Sequence, residues 1–231
     1  MKLQNIERYK TENNKQYIYR ILKENIMNLV LPPGEAISEI EISEALNVSR
    51  TPVREAIVRL SEEKLIQVFP QKGSIVSKIN LNLVEEAVFL RKICERQLFK
   101  MACEDENSSS LVKELEKNVE YQKIAVNFEN NLYEFFRLDN QFHALIFEYY
   151  NKINVWKSIK RLCTHYDRLR LLDTLEKMNL QEILHQHIEF IELIKHKDNK
   201  KTKDFICNHL CNYKDVINIF IKKHPTYFEK K

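Results

Sequence analysis

The stretch Ser49–Leu60, SRTPVREAIVRL, constrains the fold more than any other part of the chain. It reads as a short helix with a polar first half and an apolar second half. Ser49 suits the N-cap, where its hydroxyl accepts from an otherwise orphaned backbone N–H. Pro52 falls in the first turn, where its missing N–H costs nothing. Arg50 and Arg54 are four apart and share a face, while Ala56, Ile57 and Leu60 supply an apolar seat. Two stacked guanidiniums at a helix start suit a major-groove reader, because arginine donates two bonds to guanine O6 and N7. A surface helix with incidental arginines is the other reading these residues allow on their own.

The flanking residues favour the first reading. Residues 1–13 are polar and expected to fray, and from Lys15 to Leu29 the residues Ile18, Ile21, Leu22, Ile26 and Leu29 recur at helical spacing. Pro32-Pro33-Gly34 ends that helix and turns the chain. Ser38 and Glu41 form the S-x-x-E of a capping box opening a short helix to Leu46, and Asn47-Val48 is a tight joint into the arginine-led helix. After Glu63 the period changes. Leu65–Val68 and Ser74–Val76 read as strands around Pro70-Gln71-Lys72-Gly73, with glycine where φ has to be positive. Helix, turn, helix and β-wing is the order of a winged DNA reader. Charge segregates in the same region: Glu35, Glu39, Glu41 and Glu44 stand without a base in 35–44, whereas Arg50, Arg54 and Arg59 face only Glu55 in 49–60. That local pattern weighs more than the net charge of +4, which is mild for 231 residues and decides nothing about nucleic acid.

Beyond Asn80 there is only helical periodicity. With 2 glycines and 5 prolines in the whole chain, helix is expected to dominate. Breaks at Glu104–Ser110, near Asn127–Asn131, near Asn151–Asn154, around Asp173–Asn179 and at His196–Lys201 divide the region into about six helices. The fold class is therefore mainly α: a winged helix-turn-helix domain over residues 1–77, then an all-α bundle over 78–231, with 77–82 as the linker. The first residues, MKLQNIERYK, lack the apolar core of a signal peptide and no apolar run reaches membrane-spanning length, so a cytoplasmic protein with no membrane partner is expected. The 5 cysteines show no C-x-x-C pair and read as reduced thiols. Cys207 and Cys211 share a helix face, where packing and soft-metal binding are the alternatives.

Within the bundle, the informative residues are polar ones on apolar stripes. The stripe Leu132, Phe136, Asp139, His143, Ile146, Tyr150 carries Asp139 and His143 one turn apart on the inward face. His187 lies on the stripe Leu184, His187, Ile191, Ile194, while His185 points about 200° away at ~100° per residue. His209 lies inward with Phe205, Ile206, Tyr213, Val216 and Phe220. A buried carboxylate without a partner costs several kcal/mol or takes up a proton. Two readings satisfy these four residues: a shared divalent metal, for which imidazole and carboxylate suit Zn, Ni, Mn or Fe, or four separate core hydrogen bonds. Arg91 and Glu95 interrupt another stripe, either as an internal salt bridge or with Arg91 aimed at the carboxylate of an acid.

The run PPGEAISEIEISEALNVSRTPVREAIVRLSEEKLIQVFPQKGSIV closely resembles the winged domain of GntR-type bacterial transcription regulators, above all in VSRTPVREA. The resemblance implies that Ser49, Arg50, Thr51 and Arg54 contact bases or phosphates of double-stranded operator DNA, and that Lys72 and Gly73 reach the minor groove. Ile40 stands where many relatives carry a phosphate-binding arginine, and Lys64 replaces a usual glycine. Asp139-x-x-Phe142-His143, with His187 and His209, resembles the effector domain of the FadR subgroup, the match over 83–220 being looser than that of the winged domain. It implies a divalent metal held by Asp139, His143, His187 and His209, zinc being expected as purified, with His165 left out. An arginine at the place of Arg91 faces the ligand pocket in such domains. A homodimer responding to a small carboxylate effector follows, with repression relieved by ligand the commoner arrangement. The alternatives are a regulator with a larger apolar effector and no metal, or a metalloenzyme, for which no Glu or His is placed as general base.

Overall fold

The structure, a computed structural model, describes residues 3–4, 6–128 and 131–230. It divides into two compact units, one of residues up to Asn82 together with those from Phe220 onward, the other Leu83–Ile219.

The first unit starts with α1 (Asn14–Met27), opened by Asn13, whose side chain accepts from Gln16 N while Gln16 reaches back to the Asn13 amide. β1 (Ala36–Ile37) follows, then α2 (Glu39–Ala45), where the Ser38 hydroxyl accepts from Glu41 N, then α3 (Arg50–Glu62). The joint between α2 and α3 turns on Asn47, at φ 49°, with Val48 N donating back to Ser43 O at 3.0 Å. Asparagine enters the left-handed region more readily than most residues. α3 closes in the same manner: Lys64 has φ 60° and Leu65 N donates to Leu60 O at 2.9 Å. A residue with a Cβ is strained at that backbone and glycine is not, so Lys64→Gly is expected to stabilise the winged unit by about 1 kcal/mol in urea unfolding; an unchanged or lower midpoint would contradict the strain.

The wing is β2 (Ile66–Phe69) antiparallel to β3 (Gly73–Val76), with Ile66 opposite Val76 and Phe69 opposite Gly73. β1 adds to the other edge of β3, so the sheet has three strands rather than two. A strand of two residues between a turn and a cap carries no alternation to detect. α1, α2, α3 and the wing enclose one core, with Ile18, Leu22, Ile42, Val53 and Leu60 fully buried.

The fraying expected for residues 1–13 is not found among those described; residues 1, 2 and 5 lie outside them. Leu3 and Ile6 pack on the core. Asn25, 1% exposed, accepts from Gln4 N and donates to the carbonyls of Gln4 and Ile21. Arg20 donates to Glu7 O and to both oxygens of Glu12. A buried amide on the inner face of α1 has to be satisfied, and the arm supplies its partner.

The second unit comprises α4 (Leu81–Glu104), α5 (Ser109–Val126), α6 (Leu132–Tyr149), α7 (Ile153–Leu162), α8 (Thr164–Leu175), α9 (Leu180–Lys195), α10 (Thr202–His209) and the start of α11 (Tyr213–Lys223). The breaks expected from the sequence recur; of the one near 127–131, residues 129 and 130 lie outside the described residues. Two further breaks, at Cys163 and at 210–212, raise the count from about six helices to these eight. Cys163 departs from helix mainly through ψ 11°, and neither break has glycine, proline or a positive φ to announce it. α8 is buried almost throughout, carrying Asp167, Arg168 and Asp173 inside with its leucines. None of the cysteines forms a disulfide, and burial pushes the Cys103 and Cys163 thiols up to about 12. No described helix is long and apolar enough to cross a membrane.

Candidate metal centre and DNA-reading face

α6 presents Asp139 and His143, α9 presents His187 and α10 ends on His209; all four are buried, and one ligand atom from each lies within 4.8 Å of the others. The surroundings settle which imidazole nitrogen faces inward. His187 Nδ1 is 2.8 Å from Gln122 Oε1, Gln122 Nε2 donates to Asn118 Oδ1 at 2.7 Å, and Asn118 Nδ2 donates to the Leu138 carbonyl at 3.2 Å. A backbone carbonyl can only accept, so this chain orients both amides and makes His187 Nδ1 a donor. His209 is fixed likewise: Nδ1 is 2.7 Å from Gln186 Oε1, and Gln186 Nε2 donates to the Glu182 carboxylate at 2.8 Å. Glu95 Oε2 lies 2.8 Å from His143 Nδ1, off the line of a good hydrogen bond.

His187 and His209 therefore turn an Nε2 lone pair inward, and His143 turns its own Nε2 toward the same point. His143 Nε2 and His209 Nε2 are 3.2 Å apart, and His187 Nε2 is a buried nitrogen without a hydrogen-bond partner among the described residues, 3.6 Å from Asp139 Oδ1. Burial lowers the pKa of each histidine, assisted at His187 by His209 and His143. Neutral rings with facing lone pairs repel unless a cation lies between them. The donor set thus fits a divalent metal, with each imidazole steadied through its other nitrogen.

Cations surround the cluster. Arg170 Nη2 sits against Asp139 Oδ2, and its Nη1 donates to Asn140 Oδ1 and Asp167 Oδ1, each at 3.1 Å. Lys160 pairs with Asp167 from the other side. Burial lowers the Arg170 pKa well below the ordinary guanidinium value. Arg91, 1% exposed, donates from Nε to Glu95 at 2.5 Å and lies 5.5 Å from the ring centroids of Trp156 and Tyr166. Burial opposes its charge, but Glu95 overrides this and holds it charged. Arg91 Nη2 has no hydrogen-bond partner among the described residues. His165 packs with its ring Nδ1 3.2 Å from Arg168 and stays outside the cluster, and His185 is exposed.

On the winged unit Ser49, Arg50, Thr51 and Arg54 are exposed at the start of α3. Ser49 holds the N-cap position with φ −72° and ψ 159°, but its side chain makes no cap bond, so the capping role expected for the hydroxyl is not realised. The guanidiniums are organised by Glu39, the first residue of α2. Arg54 donates to it from Nε and Nη2 at 3.2 and 2.9 Å, and Arg50 Nη2 lies 3.6 Å away. Arg59 lies apart, 3.8 Å over the Tyr19 ring, as a strut between α3 and α1. Lys72 and Gly73 are exposed at the wing tip; Gly73 has φ +95° and nothing within 4 Å of where a Cβ would stand, leaving room for close approach. Ile40 is 51% exposed on α2.

Residues 14–76 match the family of bacterial regulatory proteins called gntR, and residues 86–212, more than half the chain, match the FCD domain. The chain belongs to the GntR family. The HTH-type transcriptional repressor RspR of Escherichia coli K12 is 31% identical over 221 residues, 96% of each chain. An HTH-type transcriptional regulator of Streptomyces ambofaciens is 34% identical over 215 residues, covering 93% of this chain and 89% of its own. A GntR regulator structure from Rhodococcus sp. RHA1 shares the fold, with TM-score 0.69 at 18% identity over 88% of this chain and 97% of its own.

As a GntR protein with an FCD domain, the chain is a DNA-binding transcription regulator, and its relatives are regulators, not enzymes. The structure brings Asp139, His143, His187 and His209 together and places Arg91 inside the same unit. Sequence reasoning missed Gln122, Gln186, Arg170 and Glu39. Gln122 and Asn118 lie on the inward stripe of α5 with Leu111, Leu115 and Val119, so the test that exposed Asp139 would have found them. Glu39 and Arg170 become meaningful only through contacts with another helix.

Proposed function

We propose that this GntR regulator binds a divalent metal at Asp139, His143, His187 and His209, and that the metal with Arg91 receives a small carboxylate effector. The observation that carries this reading is the convergence of three imidazoles, two of them oriented through Nδ1 to present Nε2, on one point beside a carboxylate. Zinc is the ion expected on the protein as purified, with nickel, manganese and iron also suited to these donors. When bound, the metal supplies a Lewis-acidic position for an oxygen ligand. Arg91 Nη2 adds a buried donor that a carboxylate oxygen can satisfy.

The winged unit reads operator DNA through Ser49, Arg50, Thr51, Arg54, Lys72 and Gly73, the two winged units of a cytoplasmic homodimer meeting two half-sites. The helical unit dimerises and binds the effector. The repressor named among the relatives favours repression as the output. The effector acts only by binding one conformation of the dimer better than another.

Metal analysis of protein purified without chelator is expected to find one divalent ion per chain. A thermal-shift screen of carboxylic acids is then expected to give shifts that EDTA abolishes. Metal-free protein, or acid-induced shifts indifferent to EDTA, would refute the metal reading and favour an effector held by Arg91 alone.

A further inference from the structure

The chain passes between its two compact units twice, and both passages run through helix. One is in the first turn of α4, between Asn82 and Leu83; the other is inside α11, between Ile219 and Phe220. The second passage delivers the C-terminal residues to the winged unit, where they are built in. Phe220 and Phe228 are 0% and 4% exposed. Residues 224–227 make a turn closed by Tyr227 N donating to His224 O at 3.0 Å. Phe228 then pairs in parallel with Ile79: Ile79 N donates to Tyr227 O at 2.7 Å and Glu229 N donates to Ile79 O at 3.1 Å. The backbone also comes close to Gly34, where a Cβ would meet Thr226 O at 3.3 Å and φ is +88°.

The segment so gripped, Ser77–Asn80, joins the wing to α4. At its end the Asn80 side chain does two things. Its Oδ1 accepts from Asn82 N at the start of α4, and its Nδ2 donates to the Glu229 carboxylate at 2.5 Å. The other end of the C-terminal segment is α11, which begins after a short turn from α10 and His209; Tyr166 donates from its hydroxyl to Leu210 O in that turn at 3.0 Å. One continuous stretch of backbone thus runs from a proposed metal ligand to the segment that leads out of the wing.

We propose that residues 224–230 are a strap through which the sensor helices control the segment Ser77–Asn80. A displacement of α10 on metal binding is carried along α11 to the parallel pairing at Ile79, and through Asn80 to the first turn of α4. The strap is a second mechanical input to a connection that the covalent chain makes once already. This rests on the metal reading given above for the source of the displacement, but the pairing itself does not.

Two variants of the full chain test it. Glu229→Pro removes the N–H donated to Ile79 and the carboxylate held by Asn80 while leaving the buried Phe228 in place. Phe228→Ala removes the anchor. In hydrogen exchange without added metal, the Ile79 amide of Glu229→Pro is expected to exchange at least ~10-fold faster than wild type, with Val76 and the core amides of α1 unchanged. Acceleration across the whole winged unit in both variants, or none at Ile79, overturns the strap. The second measurement is affinity for a duplex selected by the wild-type protein from a random pool, with zinc and with EDTA. Wild type is expected to differ at least threefold between the two conditions, and both variants to differ by less than the error of the titration. A zinc effect retained in the variants overturns the strap, as does zinc bound to wild type without any effect on affinity. A wild type that binds no zinc counts against the metal centre instead, and the exchange measurement then decides the strap alone.

Discussion

The Arg54→Ala protein is expected to bind its selected duplex ~10- to 100-fold more weakly than wild type, with its thermal stability unchanged. Arg54 is exposed at the start of α3, and its partner among the described residues is Glu39. An exposed ion pair of this kind adds little to folding, so the loss falls on recognition. Two consequences follow from the clamp. Glu39 occupies Nε and Nη2 of Arg54, presenting the guanidinium in one orientation instead of many and reducing the ordering that binding requires. Removing Arg54 also leaves the Glu39 carboxylate, whose pKa is held below its usual range chiefly by Arg54, facing a polyanion with only Arg50 nearby. Fluorescence anisotropy against selected and scrambled duplexes decides the matter. The ratio of the two affinities should collapse in Arg54→Ala. Lys72→Ala, in contrast, should weaken both alike and make the salt dependence shallower by about 0.9 for each phosphate that the lysine neutralises. Equal weakening on both duplexes by Arg54→Ala would remove it from base reading.

The second large effect is expected at the buried cluster. Zinc at 1,000 times its dissociation constant stabilises a protein by about 4 kcal/mol, which for a unit of this size raises the melting temperature by roughly 10 °C. The His143→Ala, His187→Ala double variant should show no zinc-induced shift and no bound metal. Proton competition gives the same site a pH signature. Burial lowers the folded-state pKa of His143, His187 and His209 below the ordinary 6.5. Unfolding therefore takes up protons as pH falls through 6.5, and the stability these groups support is present above that value and lost below it. Metal ligation competes with protons on the folded-state rings, whose pKa values lie below 6.5, so the zinc-induced shift should be undiminished from pH 7.5 down to 6.5 and fade only at lower pH, as the folded-state rings themselves begin to protonate. A shift that already fades between pH 7.5 and 6.5 would mean that zinc binds at ordinary, exposed imidazoles instead.

Much of this arrangement was legible in the chain, for identifiable reasons. Ser38, Asn47 and Gly73 mark element ends through local backbone chemistry, which a single sequence carries in full. Asp139, His143, His187 and His209 stand out because helical period predicts facing, and polar groups facing inward need partners. The boundary at Cys163 and the strand β1 did not show, since neither is written in residue type: one is a change in a single ψ, the other a two-residue edge completed by β3. The arm before α1 looked like a polar tail because its anchor, Asn25, is twenty-one positions from Gln4. Contacts that join distant segments, such as Arg54 with Glu39 and Arg170 with Asp139, leave no trace in local pattern. They came from packing alone.

The small contact at Gly34 bears on how regulators of this kind can be recombined. The winged unit is discontinuous in sequence, and a Cβ at Gly34, where φ is +88°, would crowd the backbone of Thr226 at 3.3 Å. A chimera that grafts residues up to Asn82 onto a foreign sensor would leave Phe220 and Phe228 out of the winged unit and expose the surface they cover. Splice sites placed in pairs, inside the first turn of α4 and midway along α11, keep the module whole. In this protein the unit of exchange is two pieces of chain.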